Sequence, residues 1–182
     1  MHKLAFVLCL AGTPALATGL DIEIAGDQGG TVHLDLFEET APQHVERITA
    51  LANRGAYDGV AFHRVIDGFM AQTGDVQFGR VDDGGLSNAG MGGSDLPDLP
   101  AEFSDLPFER GTVGMARSGD PDSANSQFFI MFEPAPHLDG QYTVVGEVTE
   151  GMDIVDALTR GDPQTGQVDG DVDVMESVTV TE

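Results

Sequence analysis

Apolar and polar residues alternate over 20–25, with Leu20, Ile22 and Ile24 on one side and Asp21 and Glu23 on the other. The same two-residue period returns over 31–37. It is the repeat of a strand with one buried face. Asp27-Gln28-Gly29-Gly30 between the two runs is turn chemistry, so the pair predicts an antiparallel hairpin. The period then changes. Val45, Ile48, Leu51 and Ala52 recur at helical spacing between Thr40, a candidate N-cap followed by Pro42, and Gly55, a candidate C-terminal cap. This predicts an amphipathic helix over 41–54. Alternation resumes with Phe62, Arg64 and Ile66 set against His63 and Val65; Gly68 allows a turn and 69–72 starts another strand. Further strands are predicted over 111–116, 127–132, 143–149 and 172–180, and a second, short helix over 152–159 with Ile154, Val155 and Leu158 apolar. Residues 75–110 are rich in Gly and Asp and carry little periodicity; loops that long in a compact domain are usually functional or mobile. Eight antiparallel strands and two helices make a mainly β chain, whose sheet can close into a barrel or stack as a sandwich.

Composition narrows the class. With 182 residues and 41% hydrophobic content, the chain suits one domain with a substantial core. Residues 1–17 differ from the rest. Lys3, the only lysine, precedes the apolar run 4–10, Pro14 interrupts it, and Ala15-Leu16-Ala17 follows. This is the pattern of a secretory signal peptide cut after Ala17; the run is shorter than the roughly 20 apolar residues a membrane span needs. The expected organisation is a signal peptide, 1–17, and a single domain, 18–182, that is periplasmic or secreted. Cys9 is the only cysteine, so the mature chain is expected to have neither disulfide nor thiolate chemistry. The formal net charge is −23, and losing Lys3 makes it one unit more negative. Such a chain repels nucleic acid and anionic membrane surfaces, which are excluded as partners, and its acidity reads as a solubility device.

Chemistry concentrates in Phe62-His63-Arg64-Val65-Ile66-Asp67-Gly68-Phe69-Met70-Ala71-Gln72. An arginine and a glutamine beside Phe69 and Met70 put a fixed charge and an amide on apolar surface, a combination suited to gripping an apolar ring and touching its amide. Two more blocks follow: Gly114-Met115-Ala116-Arg117-Ser118 running on to Asn125-Ser126-Gln127-Phe128-Phe129-Ile130, and His137-Leu138-Asp139-Gly140-Gln141-Tyr142-Thr143-Val144-Val145-Gly146. In order and spacing the three blocks resemble the cyclophilins, peptidyl-prolyl cis-trans isomerases, from about residue 20 to 182. The resemblance implies a closed eight-stranded antiparallel β-barrel capped by two α-helices, no cofactor, a monomer, and proline-containing polypeptides as substrates; with the leader at 1–17 the expected role is to accelerate the folding of exported proteins.

It also implies residue roles. Rotation about a prolyl bond crosses a barrier of about 18–20 kcal/mol, and no covalent step is needed to lower it. Twisting the amide frees the lone pair of the prolyl nitrogen, and a rigid cation aimed there stabilises that state alone. Arg64 matches the residue that carries this role, Gln72 the residue that orients the arginine, and His63 a residue at the site edge. Phe69, Met70, Phe129 and Leu138 match the proline pocket, and Ala116, Arg117 and Gln127 the substrate-backbone elements. This chain departs from the pattern at Thr73, at Arg117 where eukaryotic members have asparagine, at His137 where members have tryptophan or phenylalanine, and at Tyr142 where many have histidine. His137 and Tyr142 are placed with the substrate-binding residues, on the pocket rim.

Other chemistries fare worse. Serines and histidines are present without a Gly-x-Ser-x-Gly elbow. Asp169-Gly170-Asp171-Val172-Asp173 starts like a calcium loop but lacks the glycine and acid such a loop needs further on, and no paired His/Cys spacing supports zinc. No metal is expected. The rival of a different class is a binding module that uses the same barrel to hold proline-containing segments without turning them over.

Overall fold

A computed structural model describes residues 18–26, 28–81 and 86–182. The proposed signal peptide lies outside the described residues. Among the described residues nine strands form one antiparallel sheet: β1 Gly19–Ala25, β2 Gly30–Leu36, β3 Val60–Ala61, β4 Arg64–Ile66, β5 Met70–Thr73, β6 Thr112–Met115, β7 Phe128–Met131, β8 Val144–Glu150 and β9 Val174–Thr181, in the order β3-β9-β1-β2-β8-β6-β7-β5-β4. Helices α1, Pro42–Ala52, and α2, Met152–Ala157, complete the fold with a 3-10 turn at Pro136–Leu138.

The expected eight strands become nine because a short strand, Val60–Ala61, precedes the one read over 62–66, and of that one only Arg64–Ile66 is in the sheet. Val60 and Ala61 pair with Met175 and Val174 of β9, whereas Arg64–Ile66 pair with β5. Between them Phe62 donates its N–H to Asp173, and Val65 donates to Gly166. The two outermost strands of the sheet are therefore consecutive in the chain. The curled sheet is joined edge to edge through Phe62 and His63 and not by a continuous ladder. The break also resets the side-chain alternation. Phe62 does not share a face with Arg64; it packs with Val65 in the main core, while Ile66 packs in a second cluster.

That main core fills the inside of the sheet with Leu20, Ile22, Val32, Leu34, Phe128, Ile130 and their neighbours, and α1 covers one side with Val45, Ile48, Leu51 and Ala52. Tyr57 is wholly buried and donates its hydroxyl to the Ser126 carbonyl at 2.9 Å. Burial raises its pKa, so the phenol keeps its proton.

Helix α1 is capped differently from the expectation. Its N-cap is Ala41, not Thr40, and no side chain of its own segment caps it. The Glu102 carboxylate, from the 75–110 segment, accepts the N–H groups of Gln43 and His44 and the His44 Nδ1 at 2.7 Å. A carboxylate at a helix N-terminus satisfies orphan donors and complements the dipole. Burial pushes the Glu102 pKa up, but the hydrogen bonds from His44 and Gln43 outweigh it, and the group titrates below its usual range. At the other end the helix stops at Asn53, with Gly55 in the left-handed region beyond it at φ 63°. Arg47 ties the same segment down by donating to the Pro97 carbonyl at 2.7 Å. The long aperiodic segment is thus clamped to α1 from two directions.

Candidate active site

The β4–β5 hairpin places Arg64 directly opposite Gln72. Arg64 Nη1 donates to Gln72 Oε1 at 3.2 Å; Gln72 Nε2 donates to Gln127 Oε1 at 2.9 Å; Gln127 Nε2 donates to the Gly92 carbonyl at 2.8 Å. Each amide can face only one way in such a series, because it accepts from one neighbour and donates to the next. On its other side Arg64 Nε donates to the Thr165 carbonyl at 3.0 Å. The guanidinium is pinned at Nε and Nη1, and among the described residues Nη2 has no hydrogen-bond partner. Partial burial lowers the Arg64 pKa, and the Tyr142 phenol acts in the opposite sense.

The Thr165 carbonyl reaches Arg64 because a tight loop supports it. Asp162 Oδ1 accepts the N–H groups of Gln164 and Thr165, and these bonds hold its pKa below the usual carboxylate range. Gly166 follows at φ 77°, where a Cβ would meet Ile66 Cγ1 at 2.4 Å and Arg64 Cγ at 3.1 Å. Only glycine lets the loop lie against the arginine stem.

Beside Arg64 lies a pocket of about 130 Å³. Its apolar wall comes from Phe69 on the turn, Met70 of β5, Phe129 of β7 and Leu138 of the 3-10 turn, with Tyr142 and Arg117 closing it. An apolar cavity of roughly 150 Å³ holds a benzene ring, so this one has room for a single small ring. Tyr142 stands edge-on to Phe129 at 5.8 Å, and the Arg117 guanidinium lies 4.3 Å from the Tyr142 ring centre. Arg117 also donates to the Gln141 carbonyl at 2.9 Å and the Ser118 carbonyl at 2.9 Å, which fixes the cation over the ring.

A larger cavity of about 500 Å³ adjoins the first and shares Gln72, Ala116 and Arg117 with it. Its far side is built from the 75–110 segment, with Met91, Gly92 and Ser94 facing Ser118, Asn125 and Gln127. Asp75 organises that side: wholly buried, it accepts N–H groups from Gln77 and Phe78 on one oxygen and from Gly90 and Gly92 on the other, at 2.8–3.1 Å. The stretch without periodicity is ordered by a buried carboxylate and not by a ladder.

Ten of the twelve side chains singled out from the sequence line these two cavities: Arg64, Phe69, Met70, Gln72, Ala116, Arg117, Gln127, Phe129, Leu138 and Tyr142. His63 and His137 do not. His137 is exposed and stacks on Phe69, with ring centres 5.8 Å apart and planes 25° from parallel, so it backs the pocket wall from outside. His63 falls in the break between β3 and β4, is 4% exposed, and neither ring nitrogen finds a partner among the described residues. A Cβ on Gly90 would sit 3.1 Å from its Nε2. Burial lowers the His63 pKa and Arg64 acts in the same sense, while Asp75, the Ala61 backbone and Gln127 act against it. Thr165, Met91 and Gly92 were not singled out from the sequence. Thr165 and Gly92 contribute backbone carbonyls, and a carbonyl leaves no mark on residue type.

The family described as cyclophilin type peptidyl-prolyl cis-trans isomerase matches residues 20–182. A probable peptidyl-prolyl cis-trans isomerase of Brucella suis is 57% identical over 161 residues, spanning 86% of this chain and 82% of the relative. Peptidyl-prolyl cis-trans isomerase B of Bacillus subtilis is 37% identical over 138 residues, spanning 75% of this chain and 88% of that protein. Among solved structures, a cyclophilin of Hirschia baltica superposes with a TM-score of 0.71 at 27% identity, covering 88% of this chain and 73% of that one. A Cryptosporidium parvum cyclophilin type isomerase gives 0.76 at 23% identity, covering 92% and 99%, a likeness of fold.

Proposed function

The chain belongs to the cyclophilin-type peptidyl-prolyl cis-trans isomerases, and we propose that it turns over Xaa-Pro bonds of exported proteins during their folding, with Arg64 as the catalytic cation. The observation that carries the role of Arg64 is its fixation. Two of its nitrogens are held by Thr165 and Gln72 at the rim of an apolar pocket sized for one ring. The pocket grips the proline ring, and the preceding carbonyl rotates in the open groove. As the amide twists, the prolyl nitrogen gains a lone pair that Arg64 meets with a preorganised donor. That interaction is absent from both planar isomers and therefore lowers the barrier. Gln72 and Gln127 are positioning residues that keep the guanidinium from swinging into solvent. The adjoining cavity of about 500 Å³ receives substrate side chains flanking the proline.

The test is prolyl exchange in a short Ala-Pro-Phe peptide. The purified protein accelerates it, and Arg64→Ala loses about 10²–10³-fold in kcat, the range for removing one transition-state donor, while its unfolding midpoint stays put. A folded but inactive wild-type protein overturns the assignment in favour of a peptide-binding module.

Export rests on residues 1–17, and the protein acts as a monomer in the periplasm or outside the cell. Expression of the full chain in a bacterial host, followed by N-terminal sequencing of the envelope and medium fractions, is expected to give a chain starting at Thr18. Protein that keeps Met1 and stays in the cytoplasm ends that reading.

A further inference from the structure

Met91 stands at the mouth of the larger cavity and is 80% exposed. Its neighbours Gly90, Gly92 and Gly93 have no side chains to cover the thioether. The N–H groups of Gly90 and Gly92 are held by Asp75 at 2.8 and 2.9 Å, so the methionine is presented on a tethered loop and not on a free one. Met70, Met115, Met131 and Met175 are buried, and Met152 is partly covered. The only cysteine, Cys9, belongs to the proposed leader. In the mature chain the most accessible oxidisable sulfur therefore sits on the rim of the substrate groove.

We propose that Met91 is an oxidation site, at which a peroxide converts the thioether to the sulfoxide and thereby weakens capture of the residues flanking the substrate proline. The step balances. A sulfur lone pair attacks one peroxide oxygen, the S–O bond forms as the O–O bond breaks, and sulfur loses two electrons. The departing oxygen takes up the proton and leaves as water when the oxidant is hydrogen peroxide. The product replaces a polarisable apolar contact with a polar, chiral group. Arg64, Gln72 and the smaller pocket are unchanged, so peptides too short to reach Met91 are bound as before. The inference rests on the larger cavity receiving residues that flank the proline, as proposed above.

The experiment treats the purified protein with hydrogen peroxide and follows each methionine by peptide mass mapping. Met91 sulfoxide is expected to form at least about tenfold faster than sulfoxide at Met70, Met115 or Met131, since susceptibility follows exposure. Affinity is then measured by titration, which needs no turnover, for two probes: an Ala-Pro dipeptide and a longer peptide with phenylalanine two residues before the proline. Oxidation is expected to weaken the longer peptide by roughly two- to tenfold, the range of a lost thioether contact, and to leave the dipeptide unaffected. In Met91→Leu, the same treatment is expected to leave the longer peptide where that variant started. The proposal is overturned if Met91 oxidises no faster than the buried methionines, if both probes weaken alike, or if Met91→Leu responds as the wild type does. Protein that binds both probes without accelerating exchange sinks the isomerase assignment, and its response to oxidation still decides the fate of the Met91 site.

Discussion

Phe128 and Phe129 are adjacent, identical in type and both nearly inaccessible, yet they belong to different worlds. Phe128 points into the main core and meets Tyr57 edge-on at 5.7 Å. Phe129 points the other way, stacks on Phe108 at 5.7 Å and forms a wall of the small pocket. The same division runs along neighbouring strands. Ala71, Ile130 and Val145 go to the main core, whereas Met70, Met131 and Val144 go to the second cluster. One face of the sheet is filled by its own side chains together with those of α1. The other is filled short of completion, and the shortfall is the pocket. A binding site here is a deliberate defect of packing on one face, held in shape by saturation of the other.

The comparison is broken most directly by truncating each ring. Phe128→Ala is expected to cost about 3–5 kcal/mol of stability, the usual price of a buried aromatic deletion, in urea or thermal unfolding. Phe129→Ala is expected to unfold more easily by less than that, and to lose roughly 10- to 100-fold in kcat/KM, the equivalent of about 1.5–3 kcal/mol of lost apolar contact. Identical signatures for the two variants would show that the faces are not separated as described.

Gln127→Ala sharpens the comparison at the polar edge of the groove. It removes the link between Gln72 and the Gly92 carbonyl without touching the apolar wall. A fall in kcat of up to roughly 10²-fold with KM little changed is expected from misplacement of the guanidinium. A change confined to KM would instead make Gln127 a plain substrate contact.

Glu102→Ala tests the clamp remote from both faces. Two α1 N–H groups and the buried His44 ring lose their acceptor, at an expected cost of about 1–3 kcal/mol. Unfolding of the variant is expected to shift while the activity per folded molecule stays the same.

The smallest effect concerns His63, which lies between the faces. Its folded pKa is below the ordinary 6.5. Below about pH 6.5 the unfolded chain therefore binds a proton that the folded chain refuses, and stability falls as pH drops toward the folded value. The stability of the wild type relative to His63→Gln is expected to decline between pH 7 and 5, by less than about 1.4 kcal/mol per pH unit. A wild type that gains on the variant toward pH 5 would mean that Asp75 holds the ring protonated.

Periodicity located the first hairpin and both helices to within a few residues, because burial on one side of an element repeats with the geometry of that element. Arg64 and Gln72 were legible as well, since they lie in one short block that folds as the β4–β5 hairpin, whereas Phe129 and Tyr142 were picked out only through the resemblance of their blocks to a known family. Other features were decided only by the tertiary structure. The break at Phe62-His63 arises because Ala61 pairs with β9 while Arg64 pairs with β5, and alternation within one segment cannot report a change of partner. The burial of His63, the outward stacking of His137 on Phe69, and the holding of Arg64 by the Thr165 carbonyl depend on segments far apart in the chain. So does the capping of α1 by Glu102, 58 residues away from His44. Each of these uses a backbone atom or a single long-range contact, and such contacts have no period and no residue type of their own to announce them.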